Sequence, residues 1–170
     1  LVGQNLEGVH LGGRSLVKNV LTGANRSDAE LAMTDLSFAD LRRTNLRNAD
    51  LRGAKLHRAN LSEANLSGAD FSPVSREGAT GAGWTANLEH AKLSRARLDR
   101  ARLCGARMIN ADLAGADLHC ADLSNADLRG ANLGSSGLTS GTAFVLRRVL
   151  RAKGLEYPRD YNLINGGGSA

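Results

Sequence analysis

Leucine recurs at every fifth residue along most of this chain, from Leu1 to Phe71 and again from Leu88 to Leu138. Around an α-helix, residues five apart would be rotated by about 140°, and along a flat strand they would alternate between the two faces. Neither element therefore places the leucines on a common side. A backbone that turns a corner once per five residues does, because every leucine then faces one central axis.

The repeating unit is clearest between Ala39 and Phe71, where it reads alanine, Asp or Asn, leucine, and two polar or small residues. Four such sides would close a square coil of twenty residues. One coil cannot bury its apolar side alone, so coils must stack on one another. Alanine suits the position two before each leucine because the corners leave little interior room for a larger side chain.

This pattern resembles the pentapeptide-repeat family, whose members fold as right-handed quadrilateral β-helices. The resemblance covers roughly Leu1 to Ser140. It implies an all-β solenoid of roughly six to seven coils, spaced about 4.8 Å apart as neighbouring strands are. The first coil has Gln4, Val9, Arg14 and Asn19 where alanine is expected, which is typical of a terminal repeat.

We expect the pentapeptide-repeat β-helix over residues 1–141, interrupted by a loop at 72–86. Phe71 and Leu88 are seventeen residues apart, so the five-residue phase slips by two. The segment between them contains a proline, several glycines and the one tryptophan of the chain, Trp84. It is either a tolerated surface insertion, with Trp84 folded back on the rod, or an element that projects Trp84 toward a partner as an interface anchor.

Residues 142–170 are expected to form a C-terminal capping helix and a tail. Thr142 can cap a short α-helix that runs to about Lys153 and ends at Gly154. Such a helix would cover the apolar core and the unpaired strand edge at the open end of a solenoid. The remaining apolar residues suggest a homodimer contact through the C-terminus, and the candidates are Phe144, Tyr157, Tyr161, Leu163 and Ile164.

Arg26 is the one charged residue at a leucine position. Burying a guanidinium without a partner is very costly. We therefore expect the local coil to deviate, either as a bulge that turns Arg26 outward or with the arginine stem lying along the end of the core. A buried functional arginine is the alternative.

The charges of the second block are arranged so that coils stacked at an interval of twenty residues would place cations over anions. The residue before each leucine is Lys or Arg around one coil and Asp around the next. The predicted pairs are Lys92–Asp112, Arg97–Asp117, Arg102–Asp122 and Arg107–Asp127. Exposed pairs contribute only about 0 to 1 kcal/mol each, and we interpret these as structural because they favour one coil register.

The first block concentrates positive charge in one coil, which we call the basic belt. It consists of Arg42, Arg43, Arg47, Arg52, Lys55 and Arg58, with His57 among them. Serine follows twenty residues after Arg42, Arg47 and Arg52, so the belt is predicted to lack stacked acidic partners. It would attract phosphate, an acidic protein or an anionic membrane surface; the alternative is a solvated face that keeps the rod soluble. Direct nucleic-acid binding is disfavoured, because the repeats have almost no aromatic residues for stacking on bases.

The sequence offers little catalytic chemistry. The histidines are scattered singly, without the spacing of a zinc site, at His10, His57, His90 and His119. There is no glycine-rich phosphate loop, and a filled rod has no obvious substrate pocket. We expect a protein that is not an enzyme and that has no catalytic residues, no metal and no cofactor.

The composition favours a cytoplasmic protein. The sequence has no run of about 18 apolar residues for a membrane span, and the residues after Leu1 lack the regions of a secretory signal. Cys104 and Cys120 occupy outward positions that are too far apart for a disulfide. Free thiols are typical of a reducing compartment.

These features predict a non-enzymatic scaffold that binds an unidentified protein partner through the basic belt and Trp84. The family resemblance implies an alternative, because some pentapeptide-repeat proteins imitate duplex DNA, bind DNA gyrase or related type II topoisomerases, and confer quinolone-type antibiotic resistance. The internal loop and the C-terminal helical segment are similar to that branch. A net charge of +5 and a pI near 9.8 argue against imitation of a polyanion. The acidic ladder is short, with Glu30, Asp50 and Asp70 on one side and Arg52 beside them.

Overall fold

The computed structural model shows a solenoid whose coils stack through parallel bridges between residues twenty apart. It describes residues 2–75 and 83–134, together with the backbone of 161–162. Four columns of bridges run along the solenoid, so each coil has four sides, which we number 1 to 4 in chain order. The columns begin at Asn5↔Asn25, His10↔Glu30, Ser15↔Asp35 and Val20↔Asp40. The predicted β-helical solenoid with a twenty-residue coil is therefore confirmed.

Each corner is a tight turn closed by a hydrogen bond back to the leucine before it. The N–H of Thr44 donates to the Leu41 carbonyl at 3.2 Å, and the N–H of Ala49 donates to the Leu46 carbonyl at 3.1 Å. The second corner residue has a positive φ, between 54° and 61° at the non-glycine positions. A positive φ at this position is the mark of a type II turn. The same turn, repeated, brings each leucine back to the axis.

Asp or Asn recurs before each leucine because its side chain supports the following corner. In the repeat of Arg42, Oδ1 of Asp40 accepts a hydrogen bond from the Arg42 N–H at 3.2 Å. Asn65 does the same for the N–H of Ser67, also at 3.2 Å. The N–H of the first corner residue is thus hydrogen-bonded to a side chain of its own coil, as in an Asx turn, and needs no partner on a neighbouring coil.

The core is a stack of leucines with alanine in the corners. The axial leucines from Leu21 to Leu113 are at most 1% exposed, and Phe71 and Met108, which replace leucine, are fully buried. Thr34 and Thr44 occupy alanine positions and are also buried. Their hydroxyls donate to backbone carbonyls of the preceding coil, at 2.8 and 3.1 Å, so no polar group is left unpaired at these two positions.

Arg26 does not leave the core, so the expected bulge is wrong. Its N–H donates to the Asn45 carbonyl at 2.7 Å, as in a regular repeat, and the residue is 1% exposed. Nε, Nη1 and Nη2 are all buried without a hydrogen-bond partner among the described residues, and this burial lowers the pKa of the guanidinium. The inter-coil hydrogen bonds hold the backbone in register, and the side chain remains in the leucine column despite the cost of desolvating its charge.

The stacking register predicted from the charges of the second block is confirmed, and the arginines also reach carboxylates outside the predicted pairs. The backbone bridges are Lys92↔Asp112, Arg97↔Asp117, Arg102↔Asp122 and Arg107↔Asp127, as expected. Arg97 lies 3.8 Å from Asp99, Arg102 lies 3.1 Å from Asp70, and Arg107 pairs with Glu89. The hydrogen bond from Arg129 and, more weakly, the charge of Arg107 lower the pKa of Asp127, as the predicted Arg107–Asp127 pair requires. A bridge fixes the positions of two backbones, whereas a long arginine side chain also reaches carboxylates on its own coil or on the coil below.

The regular step of twenty residues lengthens once in each of the four columns, at Lys55↔Asn87, Asn60↔Lys92, Asn65↔Arg97 and Asp70↔Arg102, because the chain makes one insertion between side 2 and side 3. At the base of the inserted segment, Val74 and Trp84 form an antiparallel bridge with N–H···O distances of 2.9 and 3.0 Å. Residues 76–82 lie outside the described part of the chain. The predicted boundaries, 1–141, 72–86 and 142–170, stay predictions.

Two short strands continue the stack at its C-terminal end. Strand β1 spans Ala131–Asn132 and strand β2 spans Tyr161–Asn162. They pair in parallel, Ala131 with Tyr161, so the chain adds a strand to the edge of the last described coil. The predicted capping helix lies outside the described residues, as do the candidate dimer residues Phe144, Tyr157, Leu163 and Ile164. The homodimer therefore stays a prediction.

Replacing Arg26 with methionine should stabilise the protein by roughly 1 to 3 kcal/mol, because it removes an unpaired buried charge and keeps an unbranched apolar side chain. The urea unfolding midpoint measures this change. As a matched control, Arg47→Met alters an exposed arginine at the corner after the same side and should shift stability by less than about 0.5 kcal/mol. A loss of stability in Arg26→Met would mean that the guanidinium has a stabilising partner.

Candidate interaction surface

The basic belt does not form one patch. Its cations follow successive leucines of a single coil and are distributed around the rod. Arg42 and Arg43 lie at the corner after side 4, Arg47 after side 1, Arg52 after side 2, Lys55 on side 3, and Arg58 after side 3. All six are exposed. A partner that contacts one side of the rod therefore meets only part of the belt.

Two belt arginines are paired with the aspartate two residues before them, although the positions twenty residues on hold serine, as the sequence predicts. Arg42 donates to Asp40 and Arg52 donates to Asp50, in both cases through Nε at 2.9 Å and Nη2 at 2.7 Å. The hydrogen bonds from Arg42 lower the pKa of Asp40 to about 2, and those from Arg52 hold the pKa of Asp50 below its usual value. These aspartates belong to the same coil as their arginines, so the stacking register alone does not reveal them.

Two further belt cations have a carboxylate on a neighbouring coil. Arg43 pairs with Glu63 at 3.0 Å, and Nζ of Lys55 lies 3.9 Å from Asp35. Within the residues that the structure describes, Arg47 makes no ion pair and no side-chain hydrogen bond. Asn45 stands two residues before it, where Asp40 and Asp50 precede the paired arginines. Arg47 therefore keeps an uncompensated positive charge.

Arg58 takes part in an aromatic cluster. Its guanidinium carbon lies 6.0 Å from the ring centroid of Phe38, within the range of a cation–π contact. Phe38 contacts His57 edge to face at 5.7 Å, and His57 contacts His90 in the same way at 5.8 Å. The sequence contains a signal for this cluster, since Phe38 and Arg58 are twenty residues apart, but the basic belt as defined above omits Phe38 and His90.

Trp84 lies beside the corner between sides 2 and 3. A methyl group added at Gly53 would come within 3.3 Å of the Trp84 carbonyl oxygen and within 2.5 Å of Sδ of Met33, so glycine allows the base of the insertion to pack here. The Trp84 residue itself remains 53% exposed. Its role as a partner anchor stays a prediction.

Side 3 is thus flanked by exposed aromatic residues at both of its corners. Trp84 lies at one corner and the Phe38 cluster at the other, with Lys55 on the side between them. We call this surface the aromatic–basic face, and it consists of Phe38, Lys55, His57, Arg58, Trp84 and His90. It is unusual in a chain in which aromatic residues make up only 4%, because it combines large apolar rings with cations.

Among residues 2–75 and 83–134, no group of three or more His, Cys, Asp or Glu side chains is arranged to hold a metal ion. Cys104 and Cys120 are free thiols in this structure. A helix long and apolar enough to span a bilayer is not found in the described part of the chain.

Comparison with protein families supports the repeat pattern and the coil geometry. The family model described as pentapeptide repeats (8 copies) matches residues 34–72, 86–119 and 96–134, which together span more than half of the chain. The chain belongs to the pentapeptide repeat family. Comparison with curated proteins gives no significant match.

Several solved pentapeptide repeat proteins are similar to this chain. HetL from the cyanobacterium Nostoc sp. strain PCC 7120, involved in heterocyst differentiation regulation, is 26% identical over 78% of this chain and 76% of its own, with a TM-score of 0.33. Trypsin-treated QnrB1, a plasmid-mediated fluoroquinolone resistance protein, is 18% identical over 94% of this chain and 91% of its own, with a TM-score of 0.47. Rfr23 from the cyanobacterium Cyanothece 51142 is 29% identical over 74% and 84%, with a TM-score of 0.25. Since none of these TM-scores reaches 0.5, the family assignment rests on the sequence match.

The Asp40–Arg42 pair should make the free energy of unfolding depend on pH in the acid range. A carboxylate with a depressed pKa stabilises the fold above its unfolded pKa of about 3.8 and loses this contribution as the pH falls through its folded pKa of about 2. Urea unfolding between pH 4 and pH 2 should therefore show a smaller loss of stability in Asp40→Asn than in the wild-type protein. Arg42→Gln should have the same effect, because it removes the same pair. An acid dependence that is unchanged in both variants would contradict the pairing.

Proposed function

We propose that this protein is a non-enzymatic scaffold that binds a protein partner through the aromatic–basic face. The observation that carries this proposal is the exposure of two large aromatic residues, Phe38 at 46% and Trp84 at 53%, on either side of Lys55. Tryptophan and arginine are among the residue types that dominate the binding energy of protein interfaces. The partner we expect presents apolar groups that cover the rings and acidic side chains that face Lys55 and Arg58.

The fold supports a scaffold because the positions outside the core are free to vary. Leucine and alanine fill the interior, while the corners present other side chains outward at fixed intervals. A fold alone does not determine function, so the proposal rests on the surface and not on the repeat. We further propose a cytoplasmic location, in which the thiols of Cys104 and Cys120 would stay reduced.

Replacing Trp84 and Phe38 together with alanine should weaken capture of the partner at least about thirtyfold, because truncating two anchors costs about 2 kcal/mol or more. Affinity capture from an extract of the source cells, quantified by mass spectrometry, measures this loss. Val20→Ala is the matched control, since Val20 is 51% exposed on side 4, and it should capture as the wild type does. Both proteins should keep the wild-type unfolding midpoint, and equal capture by the double variant would contradict the proposal.

Inhibition of a type II topoisomerase by imitation of DNA is the second candidate. The insertion between sides 2 and 3 favours it, since an internal loop resembles the topoisomerase-protecting branch of the family. A DNA mimic, however, needs carboxylates that are not compensated. In the acidic ladder of side 2, Asp50 is compensated by Arg52 at 2.7 Å and Asp70 by Arg102 at 3.1 Å, and Nδ1 of His10 lies 2.6 Å from Glu30.

A gyrase supercoiling assay with and without a quinolone distinguishes the two functions. The scaffold proposal predicts no change in supercoiling at any concentration of this protein. Inhibition of supercoiling, or rescue from the quinolone, would favour the second candidate and place the partner surface on gyrase. Repeating the assay with the Trp84 and Phe38 double variant would then show whether the aromatic–basic face is involved.

A further inference from the structure

The corner after side 1 contains a notch one coil high. In three successive coils this corner holds Arg47–Asn48, Ser67–Gly68 and Asp99–Arg100. The middle coil has only a short serine side chain and a glycine, so it leaves a gap between the coils on either side. The gap has a volume of about 320 Å³.

Three arginines line this notch. Arg47 approaches from the coil below, and Arg97 and Arg100 approach from the coil above. All three are exposed, and within the described residues Arg47 and Arg100 have no ion pair and no side-chain hydrogen bond. The lining has one carboxylate, Asp99, which accepts a hydrogen bond from Ser67 and lies 3.8 Å from Arg97. Three guanidinium groups against one carboxylate leave an excess of two positive charges.

The preceding corner of the same coil shows what can fill this position. The second residue of that corner is Glu63, which is equivalent to Gly68 at the corner after side 1. The two residues have similar φ angles, 60° for Glu63 and 70° for Gly68. Glu63 lies between Arg43 in the coil below and Arg95 in the coil above, and it pairs with Arg43 at 3.0 Å. At the notch, Arg100 in the coil above corresponds to Arg95. In the coil below the cation is Arg47, one residue before the position equivalent to Arg43, which is held by Asn48. The middle coil has Gly68 where Glu63 supplies the anionic group.

We infer that the notch binds a phosphate-class oxyanion. A phosphate dianion matches the excess of two positive charges, and guanidinium groups bind phosphate through paired, charge-assisted hydrogen bonds. The coils above and below are separated by about 10 Å, twice the spacing of neighbouring strands, so their arginine side chains can converge on a group held between them. The volume also leaves room for the organic group of a phosphomonoester on the open side. This site is independent of the proposed scaffold function, because the aromatic–basic face lies on side 3.

Titration of ¹⁵N-labelled protein with inorganic phosphate, at constant ionic strength, tests the site directly. The amides of Ser67, Gly68 and Arg100 should shift and saturate, with a dissociation constant on the order of 1 mM or below for so small a ligand. Arg100→Gln should weaken binding about tenfold, because it removes one charge-assisted partner. Arg95→Gln, at the same position of the preceding corner where Glu63 supplies the anion, should bind phosphate as the wild type does.

A second pair of variants separates charge from space. Gly68→Glu should abolish binding, because it supplies the missing carboxylate from within the chain. Glu63 shows that glutamate is accommodated at such a corner, and the added Cβ at Gly68 would meet only the end of the Asn48 side chain, at 2.6 Å from Oδ1. Gly68→Gln fills a similar volume without the charge and should weaken binding less than Gly68→Glu.

The outcomes are distinct. Three results would each overturn the inference. They are amide shifts of the same size with chloride, amide shifts that rise linearly at every basic corner, and saturation with glutamate but not with phosphate. Saturable phosphate binding in the wild-type protein, together with loss of that binding in Gly68→Glu, would support the inference. Phosphoserine that binds more tightly than inorganic phosphate would identify a phosphorylated side chain as the source of the anion, and equal or weaker binding would identify free phosphate.

Discussion

The hydrogen bonds between stacked coils are the constraint on which the rest of the structure depends. The N–H of Leu41 donates to the Asn60 carbonyl on the next coil at 2.8 Å, and the N–H of Asn45 donates to the Ala24 carbonyl on the previous coil at 2.9 Å. Buried backbone groups must find partners, so a coil cannot change its length without losing bonds on both of its edges. The single insertion departs from the solenoid near a corner and returns the chain to side 3 in register.

The same hydrogen bonds explain why an unpaired charge stays in the core and why the residues at the corners differ so much. Arg26 keeps the hydrogen bonds of a regular repeat, and its side chain therefore stays in the leucine column without a partner. Corner residues contribute little to the core, so substitutions there are tolerated and create local surfaces. The aromatic–basic face depends on corner residues such as Phe38 and Arg58, and the notch exists because Gly68 lacks a side chain.

The backbone was more predictable from the sequence than the side-chain partners. The leucine period is sufficient to predict the coil, its register and its core, because these depend on features that every repeat shares. An arginine side chain can reach several carboxylates that lie a few ångströms apart, so its partner is not determined by the repeat. The backbone of Arg97 bridges to Asp117, for example, but its guanidinium pairs with Asp99. The notch is harder still to predict, because it arises from a missing side chain at Gly68 and from charges on two different coils.

Amide hydrogen exchange, measured residue by residue over 41–50 and 61–70, tests the stacked coils most directly. In these repeats four amides of every five donate to backbone carbonyls, whereas the first corner amide donates to an Asp or Asn side chain. Fast exchange should therefore recur at every fifth residue, at Arg42, Arg47, Ser62 and Ser67, with slow exchange at the leucines before them. Fast amides at another spacing, or protection in unbroken blocks, would contradict the stacked-coil structure.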